Sequence, residues 1–431
     1  MDDTARWAER DAARVWHGFT QMAAYADNRP LIIDRAEGRE LIDVDGRRYL
    51  DAISSLWLTT LGHRVAELDA ALIDQVGRVA HSTMLGNGNR VVIELAEALA
   101  TVVPVDDPRF CFASDGACAV EQALKMAYQY WHNEGVAGRQ QYLVLGDAYH
   151  GDTIGSLSLG AGGFGTDLYD RLRFGGVIRT PGYRDSDWLA AGLAALERHG
   201  PDLAAVVLEP VVQGAEGMWM ADPGDVGTFA RAAQAVGTLV VLDEVATGFG
   251  RTGTLFAAEQ CGVRPDLMAI GKGLSGGYLP MSATVAAGRV ADAFAGPDLG
   301  TKTFYHGHSY GGNALAAAVA LRHLGLLAEW SVLDNVTARA AQLQRRLDAD
   351  VAPLPQVGAV RRHGLLAGVA LAPPAGEHRW GRTVCGAAVE RGVLLRPLGD
   401  VVVLVPILTS TADEIDRIVD VVIDAVGACA R

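Results

Sequence analysis

Lysine is the scarcest of the residue types that do covalent chemistry in this chain: only Lys125, Lys272 and Lys302 occur among its 37 basic residues. Lys272 lies between Gly271 and Gly273, directly after the apolar run LMAI, where flanking glycines let a partner approach the amine closely. Asp243 closes the preceding apolar run, TLVVLD, and the spacing between the two suits one crossover between neighbouring strands. A lysine amine condenses with an aldehyde, and a carboxylate keeps a pyridine nitrogen protonated so that the ring accepts electrons. An aldehyde cofactor of the pyridine type needs this pair. The same amine, once released, can carry a proton between substrate carbon and cofactor. Lys125, in AVEQALKMAYQYW, reads as an ordinary helix residue, and Lys302 as a loop residue.

Other strand ends carry useful groups. Glu209 follows AAVVL, where a carboxylate reads equally as a helix cap. Gly116 and Ala117 open a helix straight after FCFAS and offer backbone N–H groups to a phosphate, with Ser114 or Asp115 as N-cap; the two readings are compatible. Tyr149-His150-Gly151-Asp152-Thr153 follows QYLVLG, and Tyr149 there either stacks on a cofactor ring or simply packs. GFGRTG, Gly248 to Gly253, matches the GxGxxG dinucleotide fingerprint, but Asp243 to Thr247 separate it from its strand and no acidic ribose ligand follows. His306 and His308 lack a third ligand nearby, so no metal is expected.

The elements that position these groups follow from hydrophobic patterning. After a short N-terminal helix, LIIDRAEGRELIDVDGRRYLDA reads as strands turning at Glu37-Gly38 and Asp45-Gly46, and helical patterns follow around 65–79 and 89–102. FCFAS, QYLVLG, AAVVLEP, TLVVLDE and LMAIG are nearly continuous apolar runs separated by amphipathic stretches, the pattern of an α/β fold whose mainly parallel strands are buried on both faces. From about 315 a long helical pattern leads into further helices. The strands VGAVRRHG, LLAGVAL and VVVLVPI follow, then a closing helix from about 411, which together read as a separate α+β lobe. The chain thus divides into an N-terminal segment 1–60 belonging to the small domain, a large domain 61–315 and a C-terminal small domain 316–431.

At 431 residues two or three lobes are expected, and 50% hydrophobic with 20% charged residues is a globular composition. A net charge of -14 offers no basic field, which argues against nucleic-acid or anionic-membrane partners. Five scattered cysteines read as reduced thiols, no stretch approaches the ~20 apolar residues of a membrane span, and the acidic N-terminus is unlike a signal peptide. A cytoplasmic location is the expectation.

In this order the motifs resemble the class III aminotransferases of pyridoxal 5'-phosphate (PLP) fold type I, from WHGFTQM to LRPLGD, with LDEVATGFGRTG followed by GKGLSGGYLP the most specific pair. WHGFTQM, SSLWLTTLGHR, ALKMAYQYW, YHGDT, EPVVQGAEGM, TFYHGHSYGGN and LLRPLGD are similar to the biotin-biosynthesis branch, which aminates 8-amino-7-oxononanoate to 7,8-diaminononanoate. The resemblance implies a large domain with a mainly parallel seven-stranded sheet flanked by helices, a smaller α+β domain, and PLP as cofactor. It makes Lys272 the Schiff-base lysine and Asp243 the pyridine-nitrogen partner. Tyr149 and Val245 cover the two ring faces, Gly116 and Ala117 bind phosphate through their backbone, and His150, Glu209 and His308 line the cofactor site. Ser309 reaches the phosphate of the neighbouring subunit, implying a homodimer with a shared site. Arg396 resembles the arginine that takes the substrate carboxylate, and Trp57 lies in the pocket-lining motif, with Phe19, Leu56 and Gly307 also assigned to the substrate.

Departures concern the amino donor and the phosphate. Members using S-adenosylmethionine usually show SSWW, a tyrosine after WHP, and GPTF. This chain has Leu56-Trp57, Phe19 and GHSY, and there and in AHSTMLG and RPLGDV it is more similar to the lysine-using branch. Loss of a phenol removes a hydrogen bond to substrate, so lysine and S-adenosylmethionine both stand as donors. SDGAC replaces the commoner SDSGS, which changes the side chains around the phosphate but not the backbone donors. The nearest rival reading is another class III ω-amino acid or diamine transaminase, and a more distant one is a nucleotide-dependent oxidoreductase.

Overall fold

The apolar runs pair into one seven-stranded sheet in the spatial order Arg109–Ala113, Ser282–Ala286, Leu267–Ile270, Leu239–Asp243, Leu203–Leu208, Gln141–Leu145 and Val177–Thr180. This is a computed structural model that describes residues 3–161, 166–377 and 379–430. Every neighbouring pair is parallel except the two made by Ser282–Ala286. Leu203–Leu208, Leu239–Asp243 and Leu267–Ile270 are buried throughout, because helices such as Gly116–Asn133 and Pro223–Ala235 cover the sheet.

Two strands are not among the five apolar runs. Ser282–Ala286 carries two hydroxyl residues among small apolar ones, yet is fully buried. Its hydroxyls are satisfied by the helix Gly116–Asn133 and its cap, with Ser282 donating to the Asp115 carbonyl at 2.6 Å and Thr284 to the Ala119 carbonyl at 2.7 Å. Val177–Thr180 is a short edge strand.

Strands Ile33–Glu37, Glu40–Asp43 and Arg48–Asp51 form an antiparallel meander whose turns place Gly38 and Gly46 at φ 60° and 82°. The free edge of Arg48–Asp51 takes Val393–Leu394 in parallel, tying the start of the chain to its last third. A second antiparallel sheet runs Val357–His363, Leu366–Leu371, Val401–Leu404, Arg396–Leu398. The helices Trp380–Glu390 and Ala412–Cys429 pack together beside it, the latter opened by a Thr411/Glu414 capping box. Among the described residues no single helix is long and apolar enough to cross a membrane.

Behind Asp243, Glu244 fixes the outgoing turn. Its buried carboxylate accepts from the Ala258 N–H at 2.7 Å and from the Thr247 hydroxyl. Burial pushes this carboxyl up to about 7, against the opposing pull of the Thr247 and Ala258 bonds. A carboxyl raised in the folded state favours folding while protonated, and that contribution is lost as pH rises from the ordinary carboxylate range through 7. Glu244→Gln is therefore expected to gain stability relative to wild type between pH 5 and 8, by up to about 3 kcal/mol. Denaturant melts across that range check this, and parallel curves would contradict it.

Candidate active site

Two adjacent parallel strands end together. Asp243 pairs with Ala269 in register, and Lys272 follows the second strand past Gly271, so both side chains lie at the carboxyl ends of the sheet, where open α/β folds bind ligands. Lys272 adopts φ 39°, a left-handed conformation that only its surroundings can hold in a non-glycine residue. Burial pushes its ammonium below the ordinary lysine range, Asp243 and Glu209 oppose this, and Arg251 adds to it. The amine is thereby brought closer to the neutral, nucleophilic form.

Asp243 is held from two sides. Its Oδ1 accepts from the Val245 N–H at 3.1 Å and its Oδ2 meets His150 Nδ1 at 2.8 Å, with both side chains buried. A carboxylate only accepts, so His150 Nδ1 carries the proton. Burial works against the imidazolium, but the Asp243 bond and the charges of Asp243 and Glu209 outweigh it, and the His150 pKa is raised. Glu209 is buried next to this pair. Its Oε1 accepts from the Tyr149 N–H at 2.9 Å and its Oε2 from the Gly214 N–H at 3.2 Å. Burial pushes it up to about 7 despite the attraction of His150. The Tyr149 hydroxyl donates to Asp152 at 3.0 Å.

The phosphate end is a helix start. Asp115 is the N-cap of Gly116–Asn133 and accepts from the Cys118 N–H at 3.0 Å, while the N–H groups of Gly116 and Ala117 precede the helix's own ladder. A Cβ on Gly116 would lie 2.6 Å from Val245 Cγ1, and one on Gly151 would overlap the Ala117 side chain. Helix start, Val245 and the Tyr149–Gly151 segment are thus in contact. The Ser114 hydroxyl lies 3.4 Å from His308 Nδ1. Ser309 is exposed, and its carbonyl pairs with His81 Nε2 at 2.6 Å; Gly307 sits against Leu85. His306 Nδ1 lies 3.1 Å from Lys125 Nζ.

On the other side of Lys272, its Nζ is 4.8 Å from the centroid of the buried Trp57 ring. Trp57 belongs to a run of four left-handed non-glycine residues, Ser54 to Trp57. The run is anchored by Ser54 Oγ to the Val405 carbonyl at 2.6 Å and by Ser55 to both oxygens of Asp51. A Cβ on Gly214 would meet the Trp57 ring at 2.9 Å. Leu56 and Phe19 are exposed. Arg396 is exposed on an outer strand, and its guanidinium has no partner among the described residues. Lys272, Asp243, Tyr149, His150, Glu209, Val245, Gly116, Ala117 and Trp57 are therefore linked by direct contact or by one shared neighbour. Leu56 adjoins Trp57 in the chain, whereas Gly307, Ser309 and Arg396 make no hydrogen bond or ion pair to that group among the described residues.

Residues 21–426 match the family described as aminotransferase class-III. The chain belongs to that family. It is 43% identical to adenosylmethionine-8-amino-7-oxononanoate aminotransferase of Nitratidesulfovibrio vulgaris, over 99% of this chain and 82% of that protein. The crystal structure of the enzyme of that name from Methanocaldococcus jannaschii superposes with a TM-score of 0.95 at 34% identity, covering 99% of each chain. An amine transaminase from an uncultivated Pseudomonas species, solved in a PLP-bound form, superposes with a TM-score of 0.88 at 32% identity, covering 96% of this chain and 99% of that one. The aminotransferase uses PLP, as its family does.

The residues present fit that cofactor. His150 Nε2 and His308 Nε2 are buried without a partner, and the bare backbone of Gly116 lies so close to Val245 that any side chain there would collide with it. The site also combines an amine of lowered pKa, a braced carboxylate and a helix N-terminus. Lys272 and Asp243 would hold the aldehyde and the ring nitrogen, and the Gly116–Ala117 amides the phosphate. Individual motifs did not disclose how Asp243 is braced by His150, or how Glu209 ties the Tyr149 segment to Gly214. The sequence signal for these residues is that each lies at or a few residues beyond the carboxyl end of a strand of one sheet.

Asp243→Asn is expected to slow both half-reactions by at least about a hundredfold while leaving the melting temperature close to wild type. Single-turnover absorbance measurements with donor alone and acceptor alone check this. Slowing of only one half-reaction would contradict it.

Proposed function

We propose that this aminotransferase moves an amino group from lysine or S-adenosylmethionine to the ketone of 8-amino-7-oxononanoate, giving 7,8-diaminononanoate. The observation that carries the reading is the wall beside the reactive amine, where Lys272 Nζ faces the Trp57 ring; the exposed, unpaired guanidinium of Arg396, on the edge strand of the second sheet, is the cation assigned to the remote carboxylate. A long-chain keto acid needs an apolar wall at its reacting end and a cation for its remote carboxylate. Full-length relatives that carry the corresponding name support the same substrate.

PLP, when bound, supplies an aldehyde for the amine and a ring that accepts electrons. Lys272 holds it and then moves the proton at the substrate carbon. Asp243, braced by His150, keeps the ring nitrogen protonated. Tyr149 and Val245 confine the ring, Trp57 excludes water from the reacting end, and Arg396 takes the substrate carboxylate, with Phe19, Leu56 and Gly307 at the donor and acceptor entrance.

We further infer a homodimer in the cytoplasm, with Ser309 completing the neighbouring subunit's phosphate site. Leu85, Leu299, Tyr305 and Tyr310 expose large apolar side chains along one loop and the segment beneath it, a surface suited to self-association. The acidic net charge and five free cysteines accord with a reducing compartment and with small-molecule rather than nucleic-acid or membrane partners.

An amino-donor screen with 8-amino-7-oxononanoate as acceptor tests the assignment. Lysine or S-adenosylmethionine is expected to give 7,8-diaminononanoate, whereas turnover only with ω-amino acids or diamines would overturn the substrate and leave the cofactor chemistry intact.

A further inference from the structure

The helix Ala314–Glu329 is apolar along most of its length, yet His323 sits in it with no exposed surface. Its Nε2 lies 2.6 Å from the Thr60 hydroxyl, and Nδ1 is buried on the other side of the ring. Desolvating an imidazole is costly, so its place in the core is explained by what the ring meets, the Thr60 hydroxyl and the Leu274 backbone of the lysine turn. Burial pushes its pKa down to about 4, opposed by the Leu274 backbone and reinforced by the Arg251 charge, which keeps the ring neutral in the usual working range.

What His323 and Thr60 enclose is the Lys272 turn. A Cβ on Gly276, which closes that turn at φ 62°, would come within 3.0 Å of His323 Cδ2 and 3.4 Å of Thr60 Oγ1. A Cβ on Gly273 would lie 3.3 Å from Thr60 Cγ2, and one on Gly277 3.0 Å from Thr59 Cα. The glycines of GKGLSGG thus lay the lysine turn directly on Thr59-Thr60. That dipeptide is itself held. Thr59's carbonyl accepts from the buried Arg251 at 2.6 Å, and Thr60's carbonyl accepts from the Leu408 N–H at 2.9 Å. Arg251 also donates to the Pro406 carbonyl at 2.6 Å, so the arginine of GFGRTG serves as an internal tie. Three residues before Thr60 is Trp57, whose ring faces the Lys272 amine.

We propose that His323, through its hydrogen bond to Thr60, is a positioning residue for Lys272: it locks the left-handed lysine turn onto the segment that carries Trp57. The proposal rests on Lys272 as the cofactor-holding lysine. His323 touches neither cofactor nor substrate and acts only through the geometry of that turn. Thr60→Val and His323→Leu remove the same hydrogen bond from opposite ends, and His323→Gln retains a polar group at the site.

The full-length holoenzyme is titrated by its visible lysine–cofactor absorption, alongside kcat, KM and melting temperature. Thr60→Val and His323→Leu are each expected to move the midpoint of that absorption by about half a pH unit or more and to lower kcat about three- to tenfold. KM should change little, His323→Gln should recover most of the loss, and the double variant should be no worse than either single one. An unchanged midpoint and kcat in Thr60→Val, whatever the melting temperature does, would overturn the proposal. Thr60→Val decides the matter even if His323→Leu does not fold. Absorption that survived Lys272→Ala would instead sink the underlying reading of Lys272, a separate outcome.

Discussion

The parallel register that sets Asp243 opposite Ala269 is the constraint on which the rest of the site depends. It brings a carboxylate and, past one glycine, a lysine to the same edge of the sheet. The helix start at Gly116 and the segment at Tyr149 then close around them. Strand backbones buried on both faces have no freedom to slip, because a shift in pairing would leave polar groups unpaired in a dry interior. The catalytic geometry is in this sense a property of the core, and only the fine positioning is left to loops.

That positioning is bought with buried charge. Asp243, Glu209, His150 and Arg251 are all nearly inaccessible, and each is held in a different way, with His150 Nε2 and Arg251 Nε left unpaired. Asp243 and His150 neutralise one another, Glu209 caps two backbone N–H groups, and Arg251 leans on two carbonyls without a carboxylate bonded to it. Such groups weaken a fold unless fully paired, so their concentration around Lys272 marks a place where stability is spent on preorganisation. The four left-handed residues before Leu58 belong to the same pattern.

Much of this was legible in the sequence. Asp243, Glu209, Lys272 and Tyr149 announce themselves because each stands at or within a few residues of the end of a buried apolar strand, where open sheets bind ligands. Strand Ser282–Ala286 was hidden by its hydroxyls, which look like loop residues until the Asp115 and Ala119 carbonyls are seen to accept them. The turn Ser54–Trp57 was illegible for the opposite reason: it contains none of the glycines that normally advertise φ > 0. His323 lay inside an apolar helix pattern, and only its contact with Thr60 gives it meaning. GFGRTG resembled a nucleotide fingerprint, yet it forms irregular turns whose arginine points inward to hold the chain together.

One of three lysines, Lys272, is proposed to carry the cofactor. Borohydride reduction of the PLP-loaded enzyme, followed by peptide mapping, tests it most directly. A single stable adduct is expected on the peptide containing Lys272; an adduct on Lys125 or Lys302, with Lys272 unmodified, would show that another lysine holds the cofactor.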